Sequence, residues 1–333
     1  MSLTPEQALE QAALAGIHRL SVDTPFRVGP VNCYLVEGDP LALVDTGPNS
    51  GTTLDALQSQ LSAHGHEIDD IGLVVITHPH LDHLGLTEII VEHSGAEVAA
   101  LAPLAAKLED FAADADREDA FAVEIMRRNG IPSEVADALR VVSSSFRGWG
   151  SAVHVTRELA DGETIALGQR QFEVQHRPGH STTDTLFWDA EGKILIVGDH
   201  LLAHISSNPL ISRPLDGSGG RTRSLIEYVD SMRRTRELPA EIILPGHGEP
   251  VTEHAALIDA RLASIERRKE KIYRLIAEQP RTGYELAQAI WGNVAVTQAF
   301  LTLSEVIGNA DLLVEEDRIR EADDGTVIRY ETT

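Results

Sequence analysis

The sequence predicts an α/β protein in which apolar strands alternate with helices and lead into metal-binding side chains. Its 333 residues are 42% hydrophobic and 24% charged, as in soluble globular proteins. Short apolar runs bounded by turn residues alternate with segments whose apolar residues repeat at helical spacing. Four of these runs are followed within a few residues by histidine or aspartate. Together these observations favour a layered fold with a polar site at the ends of its strands.

The first hundred residues alternate predicted helices, at 5–15, 51–64 and 84–93, with predicted strands, at 17–22, 31–36, 41–44, 73–76 and 97–101. Residues 103–150 break this pattern because they are mostly helical. We interpret them as an inserted helical subdomain or lid, with a helical layer packed on the body as the alternative. If the insertion covers the site, the side chains of Phe111, Phe121, Met126 and Trp149 are expected to face the metal cleft.

The second half continues with predicted strands at 154–157, 172–176, 185–188, 194–197 and 241–244, and predicted helices at 223–238 and 254–278. Residues 201–220 are rich in Pro, Ser and Gly and indicate a long loop. Beyond Pro280 the pattern predicts two helices, at 282–291 and 297–309, and short strands at 312–314, 319–321 and 326–330. Helices followed by a hairpin are typical of a winged-helix-like unit. We therefore predict a catalytic domain over 1–265 and a winged-helix-like domain over 266–333.

The strongest functional signal is the segment from His78 to His83, with the sequence His-Pro-His-Leu-Asp-His, at the end of an apolar run. It holds four metal-binding side chains within six residues. Imidazole nitrogen and carboxylate oxygen are ligands that suit zinc and similar divalent metals. A solvated, histidine-rich turn is the alternative, but ordinary loop composition does not produce such a cluster.

Three further residues follow apolar runs in the same way. His180, Asp199 and His247 each come directly after a glycine. Glycine lets the backbone turn sharply and approach a bound ion closely. Because all three follow predicted strands, we expect them to meet the first cluster at one edge of the sheets.

This set of motifs resembles the metallo-β-lactamase superfamily over about residues 17–251, apart from the insertion. The resemblance implies a four-layer αββα sandwich, here with a helical insertion and a C-terminal winged-helix-like domain. It also implies a two-metal site with seven ligands: His78, His80 and His180 for one ion, Asp82, His83 and His247 for the other, and Asp199 bridging them. Asp45, in the segment Asp-Thr-Gly, is then expected to orient a ligand histidine rather than to bind metal.

The resemblance further implies a zinc-dependent hydrolase, with iron or manganese as substitutes. Di-iron oxidoreductases of this family carry Glu where this chain has His80, which favours hydrolysis. A metal-bridging hydroxide would attack a small ester, thioester or lactone, with Asp82 and Asp199 as catalytic residues. His200, His204 and Arg213 are candidate substrate contacts, with ordinary loop structure as the alternative.

Two other functions are weighed against this one. The winged-helix-like tail resembles a branch that includes an endoribonuclease, so a phosphodiesterase is the first alternative. A metal-stabilised interaction protein is the second. The net charge of −24 disfavours a nucleic-acid partner, and residues 280–333 hold four Lys and Arg against ten Asp and Glu.

The composition also bears on location. The single cysteine, Cys33, suits a reducing compartment. No apolar run approaches the roughly 20 residues of a membrane span, and no signal peptide is recognised. We expect a cytoplasmic protein with a small acyl substrate and no membrane partner, and the oligomeric state stays open.

Overall fold

The computed structural model describes residues 3–333 and confirms a mixed α/β fold. Its helices are α1 (Pro5–Leu14), α2 (Gly51–Ala63), α3 (Leu81–Leu84), α4 (Thr87–Ser94), α5 (Ala102–Glu109), α6 (Phe111–Arg128), α7 (Ser133–Ser145), α8 (Ser224–Arg236), α9 (His254–Glu278), α10 (Gly283–Trp291), α11 (Val294–Thr297) and α12 (Ala299–Glu315). Its strands are β1 (Ile17–Val22), β2 (Val31–Val36), β3 (Leu41–Val44), β4 (Ile71–Ile76), β5 (Glu97–Leu101), β6 (Arg157–Leu159), β7 (Thr164–Leu167), β8 (Arg170–His176), β9 (Thr185–Asp189), β10 (Ile194–Gly198), β11 (Ile242–Pro245), β12 (Arg281–Thr282), β13 (Ile319–Asp323) and β14 (Ile328–Thr332).

The strands form two large sheets and one small sheet. The first sheet has the order β1-β2-β3-β4-β5-β6, and the second has the order β11-β10-β9-β8-β7. Strands β3 to β6 pair in parallel, as expected for strands joined by helical crossovers. The small sheet, β12-β14-β13, lies in the C-terminal part.

Side-chain alternation along β10 shows how the layers are stacked. Ile194 and Ile196 belong to the core between the two large sheets, while Leu195 and Val197 belong to a second core. This period of two is a property of the pleated strand, whose successive side chains point to opposite faces. The second sheet is therefore buried on both faces.

Helices cover the outer faces of both large sheets. Leu57 and Leu61 of α2 pack in the same core as the first sheet. Leu225 and Met232 of α8 pack against the outer face of the second sheet, together with Ile258 of α9. The order of layers is thus helix, sheet, sheet, helix, which confirms the predicted αββα sandwich.

The C-terminal part has a core of its own. The first half of α9 packs on the second sheet through Ile258, whereas Ile272 and Ile276 pack with α10 and α12. The predicted domain boundary at 265–266 therefore falls inside one continuous helix. Helix α10 begins with a capping box, because Thr282 Oγ1 accepts from the Glu285 amide and Glu285 accepts from the Thr282 amide.

One predicted strand is wrong, and another, predicted at 154–157, is found instead at Arg157–Leu159. Residues 312–314 lie in α12, which runs through the predicted helix end at 309. Gly308 does not end this helix. A Cβ atom there would lie 2.6 Å from Leu225 Cβ, so the glycine allows α12 and α8 to pack closely.

None of the helices within residues 3–333 combines the length and the apolar character that crossing a bilayer requires.

Candidate metal centre

Four strand ends deliver the predicted ligands to one edge of the two large sheets. β4 leads into the segment with His78, His80, Asp82 and His83, the last two on the short helix α3. β8 leads through a short loop to His180, while β10 and β11 lead directly to Asp199 and to the loop with His247. The first sheet therefore contributes four of the seven side chains, and the second sheet contributes three.

The first group consists of His78, His80, His180 and Asp199, whose ligand atoms lie within 4.8 Å of one another. His80 Nδ1 lies 3.0 Å from His78 Nε2 and 2.9 Å from His180 Nε2. His180 Nε2 is also 3.6 Å from Asp199 Oδ2. Three imidazole nitrogens and a carboxylate thus converge on one point.

The second group consists of Asp82, His83 and His247. His247 Nε2 lies 3.3 Å from Asp82 Oδ2 and 3.5 Å from Asp199 Oδ2. His83 Nε2 lies 3.6 Å from Asp199 Oδ1. Because Asp199 contacts members of both groups, it occupies the position that a bridging ligand would require.

The donor set fits divalent metal ions. The buried atoms His83 Nε2, His247 Nε2 and Asp199 Oδ1 have no hydrogen-bond partner among the described residues. Leaving buried polar atoms unsatisfied is costly, and an electron-pair acceptor placed between them would remove that cost. Nitrogen and carboxylate donors at these spacings match the ligand preferences of zinc and its neighbours.

The outer nitrogens of two histidines fix the orientation of their rings. His180 Nδ1 lies 3.2 Å from the Asn208 carbonyl oxygen, and His247 Nδ1 lies 2.8 Å from that of Pro30. A carbonyl oxygen only accepts, so each Nδ1 carries the proton. The lone pair of each Nε2 therefore points into the cluster, as metal coordination requires.

Asp45 supports two further rings, those of His83 and His78. Its Oδ2 accepts from His83 Nδ1 at 2.8 Å and from the Thr77 hydroxyl at 2.8 Å. Its Oδ1 accepts from the Thr77 amide at 2.9 Å. The Thr77 hydroxyl lies 2.9 Å from His78 Nδ1, so one carboxylate supports His83 directly and His78 through Thr77. The sequence pointed to Asp45 but gave no role to Thr77.

The electrostatics differ between the ligand histidines. Burial and the neighbouring His180 ring lower the pKa of His80 to about 3, and burial with the His83 ring lowers the pKa of His78 well below its usual value. Burial opposes ionisation of Asp199, but the His83 and His247 imidazoles hold its pKa well below the ordinary range. Burial opposes protonation of His83 and His247 as well, but Asp199 raises the pKa of both above the usual value. Because a metal binds the neutral imidazole, metal binding at these two residues would displace protons.

Two glycines allow the strand ends to approach the cluster. A Cβ atom at Gly246 would lie 2.5 Å from Asp199 Oδ1 and 2.7 Å from His83 Cε1. Gly198 has a φ of +48°, and a Cβ atom there would lie 2.8 Å from Thr77 Oγ1. Side chains at these positions would therefore displace the ligands or their supporting groups.

The first group opens into a cleft of about 350 Å³ that is lined by His80 and His180 on one side and by the helical insertion on the other. The insertion therefore covers the site. Phe111 lines the cleft as predicted, but Phe121 and Met126 do not. They belong to a separate core with α12, because the opposite side of α6 packs against the C-terminal helices. Trp149 is also outside the cleft lining.

The three candidate substrate contacts are not part of the cleft lining. His200 is fully buried, and its Nε2 lies 3.0 Å from Thr235 Oγ1, so it faces α8 rather than the cleft. His204 is exposed on the following loop. Arg213 is ion-paired with Asp114 at 2.6 Å and Glu118 at 3.2 Å, which ties its loop to α6.

Some cleft residues were missed from the sequence. Phe300, on the first turn of α12, lines the cleft although it lies in the unit predicted to be separate. Arg147 also lines it and is ion-paired with Asp119 at 2.5 Å. No local pattern marks either residue, since each reaches the cleft through contacts between distant segments.

Two facing sheets with histidine and aspartate side chains gathered at one edge define a metal-binding fold of the lactamase type. The chain belongs to the metallo-β-lactamase superfamily, because the family model of that description matches residues 26–247.

Individual relatives agree with this assignment. The probable metallo-hydrolase YqjP of Bacillus subtilis (strain 168) is 33% identical over 319 residues, which is 94% of this chain and 97% of that protein. The acyl-coenzyme A thioesterase MBLAC2 of Homo sapiens is 30% identical over 226 residues, which is 65% of this chain and 72% of that protein. The crystal structure of the metallo-β-lactamase family protein TTHA1429 from Thermus thermophilus has a TM-score of 0.78 at 25% identity, and the match covers 97% of this chain and all (100%) of that chain.

Proposed function

We propose that this chain is a metal-dependent hydrolase of small acyl esters, thioesters or lactones. The observation that carries the proposal is the cleft beside the metal-binding groups. His80 and His180 open directly into it, and its walls include the apolar side chains of Leu108, Phe111 and Phe300. An apolar cavity with a few convergent polar groups is the usual form of a small-molecule site.

The charges in the cleft support an uncharged substrate group. Its two cationic lining residues already have acidic partners: Lys107 lies 3.5 Å from Glu118, and Arg147 is paired with Asp119. A phosphodiester backbone needs available cations along its path. The similarity to an acyl-coenzyme A thioesterase points to a thioester as one member of the substrate class.

Helix α12 also argues against a nucleic-acid substrate. In winged-helix DNA readers one helix must be free to enter a groove. Here 11 of the 17 residues of α12 are buried, among them Leu303, Ile307 and Leu313. Because α12 packs within the chain, it is not free to enter a groove of a nucleic acid. This disfavours the phosphodiesterase alternative.

The residues of the cluster have different proposed roles. Divalent ions held by the seven ligands would supply Lewis acidity and lower the pKa of a coordinated water. We propose zinc at both positions, with iron or manganese as substitutes, because the donors are imidazole and carboxylate. Asp199 would connect the two groups. Asp82, whose Oδ2 lies 3.3 Å from His247 Nε2, would take up the proton released as water adds to the acyl carbon.

The test is a turnover assay with the protein loaded in turn with zinc, manganese and iron. The substrates are acyl-coenzyme A thioesters, glutathione thioesters, lactones, phosphodiesters and single-stranded RNA. We expect hydrolysis of acyl substrates that is lost on chelation and in His80→Ala. His204→Ala is the matched control, because it removes an exposed histidine outside the cleft, and it should retain activity. Cleavage of RNA that depends on His80, without turnover of any acyl substrate, would replace this function with the nuclease alternative.

A further inference from the structure

The C-terminal unit takes part in the cleft. Phe300 on α12 lines the same cavity as His80 and His180. Ile211 also lines it and shares a core with Leu303 and Ile307 of α12. One wall of the cleft therefore includes Phe300, which lies more than two hundred positions beyond the first metal-binding motif.

This wall is held in place by two kinds of contact. The buried side chains of Val123 and Met126 on α6 share a hydrophobic core with Leu303 on α12. At the hairpin between β13 and β14, Arg128 pairs with Asp323 and donates to the Gly325 carbonyl oxygen at 3.1 Å. The tip of the hairpin thus contacts the insertion, and the two segments form one support for the cleft.

The cleft has a metal end and a distal end. Phe111 lies beside Leu81 at the metal end, since a Cβ atom on Gly150 would touch both, at 2.8 and 2.7 Å. Ala115 and Ala122 follow Phe111 on the same face of α6 and also line the cleft. Ala122 is eleven residues beyond Phe111, which is about 16 Å along a helix. The small side chains leave space along this face of α6 from the metals towards the distal end. The carboxylates of Asp114, Glu118 and Asp119 also line the cleft, and they are ion-paired with Arg213, Lys107 and Arg147.

We propose that this space along α6 is an acyl-tail pocket, in which Phe111 and Phe300 form the apolar walls and Ala122 sets the length of the tail. The inference rests on the proposed function and assigns a role to the C-terminal unit. Because Lys107 and Arg147 are neutralised by α6 carboxylates, the pocket accepts an uncharged chain. An anionic carrier such as a nucleotide or a peptide thiol then lies outside it.

Acyl-chain length is the variable to measure. With the metal-loaded protein and straight-chain acyl thioesters from acetyl to dodecanoyl, kcat/KM should rise about fourfold per methylene until the pocket is full. Ala122→Phe should lower kcat/KM for the longest substrates at least tenfold relative to its kcat/KM for the acetyl substrate. Phe300→Ala should reduce the increase in kcat/KM with each added methylene. Leu301→Ala is the control, because this neighbouring side chain is 40% exposed and does not line the cleft.

A binding measurement separates this inference from the proposed function. Calorimetric titration of metal-free protein with decanoate and acetate should show tail-dependent binding that is weakened in Ala122→Phe and Phe300→Ala. If the wild type hydrolyses acyl substrates but both folded variants keep its chain-length profile, the pocket assignment is wrong and the function stands. If no acyl substrate is hydrolysed but decanoate binding depends on Ala122 and Phe300, the pocket stands and the function is wrong.

Discussion

Asp45 offers the sharpest test of how the cluster is held. Its carboxylate is 2% exposed and accepts three hydrogen bonds, one from His83 Nδ1 and two from Thr77. In Asp45→Asn only one oxygen remains, so the amide NH2 must face at least one of these donors. The backbone is compatible with the change, because Asp45 has a φ of +58° and asparagine adopts that region readily.

The expected losses of stability and of zinc affinity in Asp45→Asn follow from these contacts. Losing one hydrogen bond to a buried charged group costs about 1.5–3 kcal/mol of stability. Losing the anionic partner of His83, and of His78 through Thr77, should weaken zinc binding about 10–100-fold. Metal affinity is measured by competition with a chromophoric chelator, and stability is measured by thermal unfolding in chelator and in zinc.

Asp55→Asn is the control, since this aspartate is exposed on α2, and it should match the wild type in both measurements. Zinc affinity in Asp45→Asn equal to that of the wild type, with the fold intact, would refute the argument that this carboxylate orients the rings. The argument would also be refuted if the apparent zinc affinity of Asp45→Asn fell only as much as its fraction of folded protein.

Four further substitutions test the site and its support. His80→Ala and Asp199→Ala should each lower the metal content from about two ions per chain and abolish hydrolysis; elemental analysis showing full occupancy and activity in Asp199→Ala would exclude its bridging role. Gly246→Ala should weaken metal binding, because its Cβ would lie 2.5 Å from Asp199 Oδ1. Gly219→Ala is the control and should leave metal binding unchanged, because there is open space around that residue. The metal affinities of the two variants are compared by chelator competition. Leu303→Ala should destabilise the protein by about 2–5 kcal/mol, since this side chain is fully buried in the core that joins α6 to α12; an unchanged denaturation midpoint would contradict that packing.

The metal-binding groups could be predicted because their signals are local. Each of these strands is followed by its own histidine or aspartate. The ends of strands in a layered sheet lie at one edge, and this does not depend on the conformation of the loops. The support of these side chains was only partly predictable. Asp45 follows β3 and is recognised through its motif, but the role of Thr77 depends on a hydroxyl placed between Asp45 and His78.

The cleft could not be derived in the same way. Which face of α6 meets the metals is decided by its packing against α12, almost two hundred residues later. The sequence shows four apolar candidates there, and only Phe111 lines the cleft. The misassigned strand at 312–314 has a similar cause. A short apolar run fits a strand as well as a buried helix, and here contacts with distant segments place it in α12.

The division of ligands between the two sheets has a consequence for biosynthesis. His78, His80, Asp82 and His83 come from the end of β4, whereas His180, Asp199 and His247 leave the ribosome about one hundred residues or more later. An emerging chain therefore holds half a metal site, with Asp45 already in place, until the second sheet docks on the first. Binding of the ion to all of its ligands is then a late event, because it requires both sheets. The metal-binding free energy adds to the stability of their docking. Without the ion, the docking of the two sheets is expected to be less stable, because metal binding no longer contributes to it.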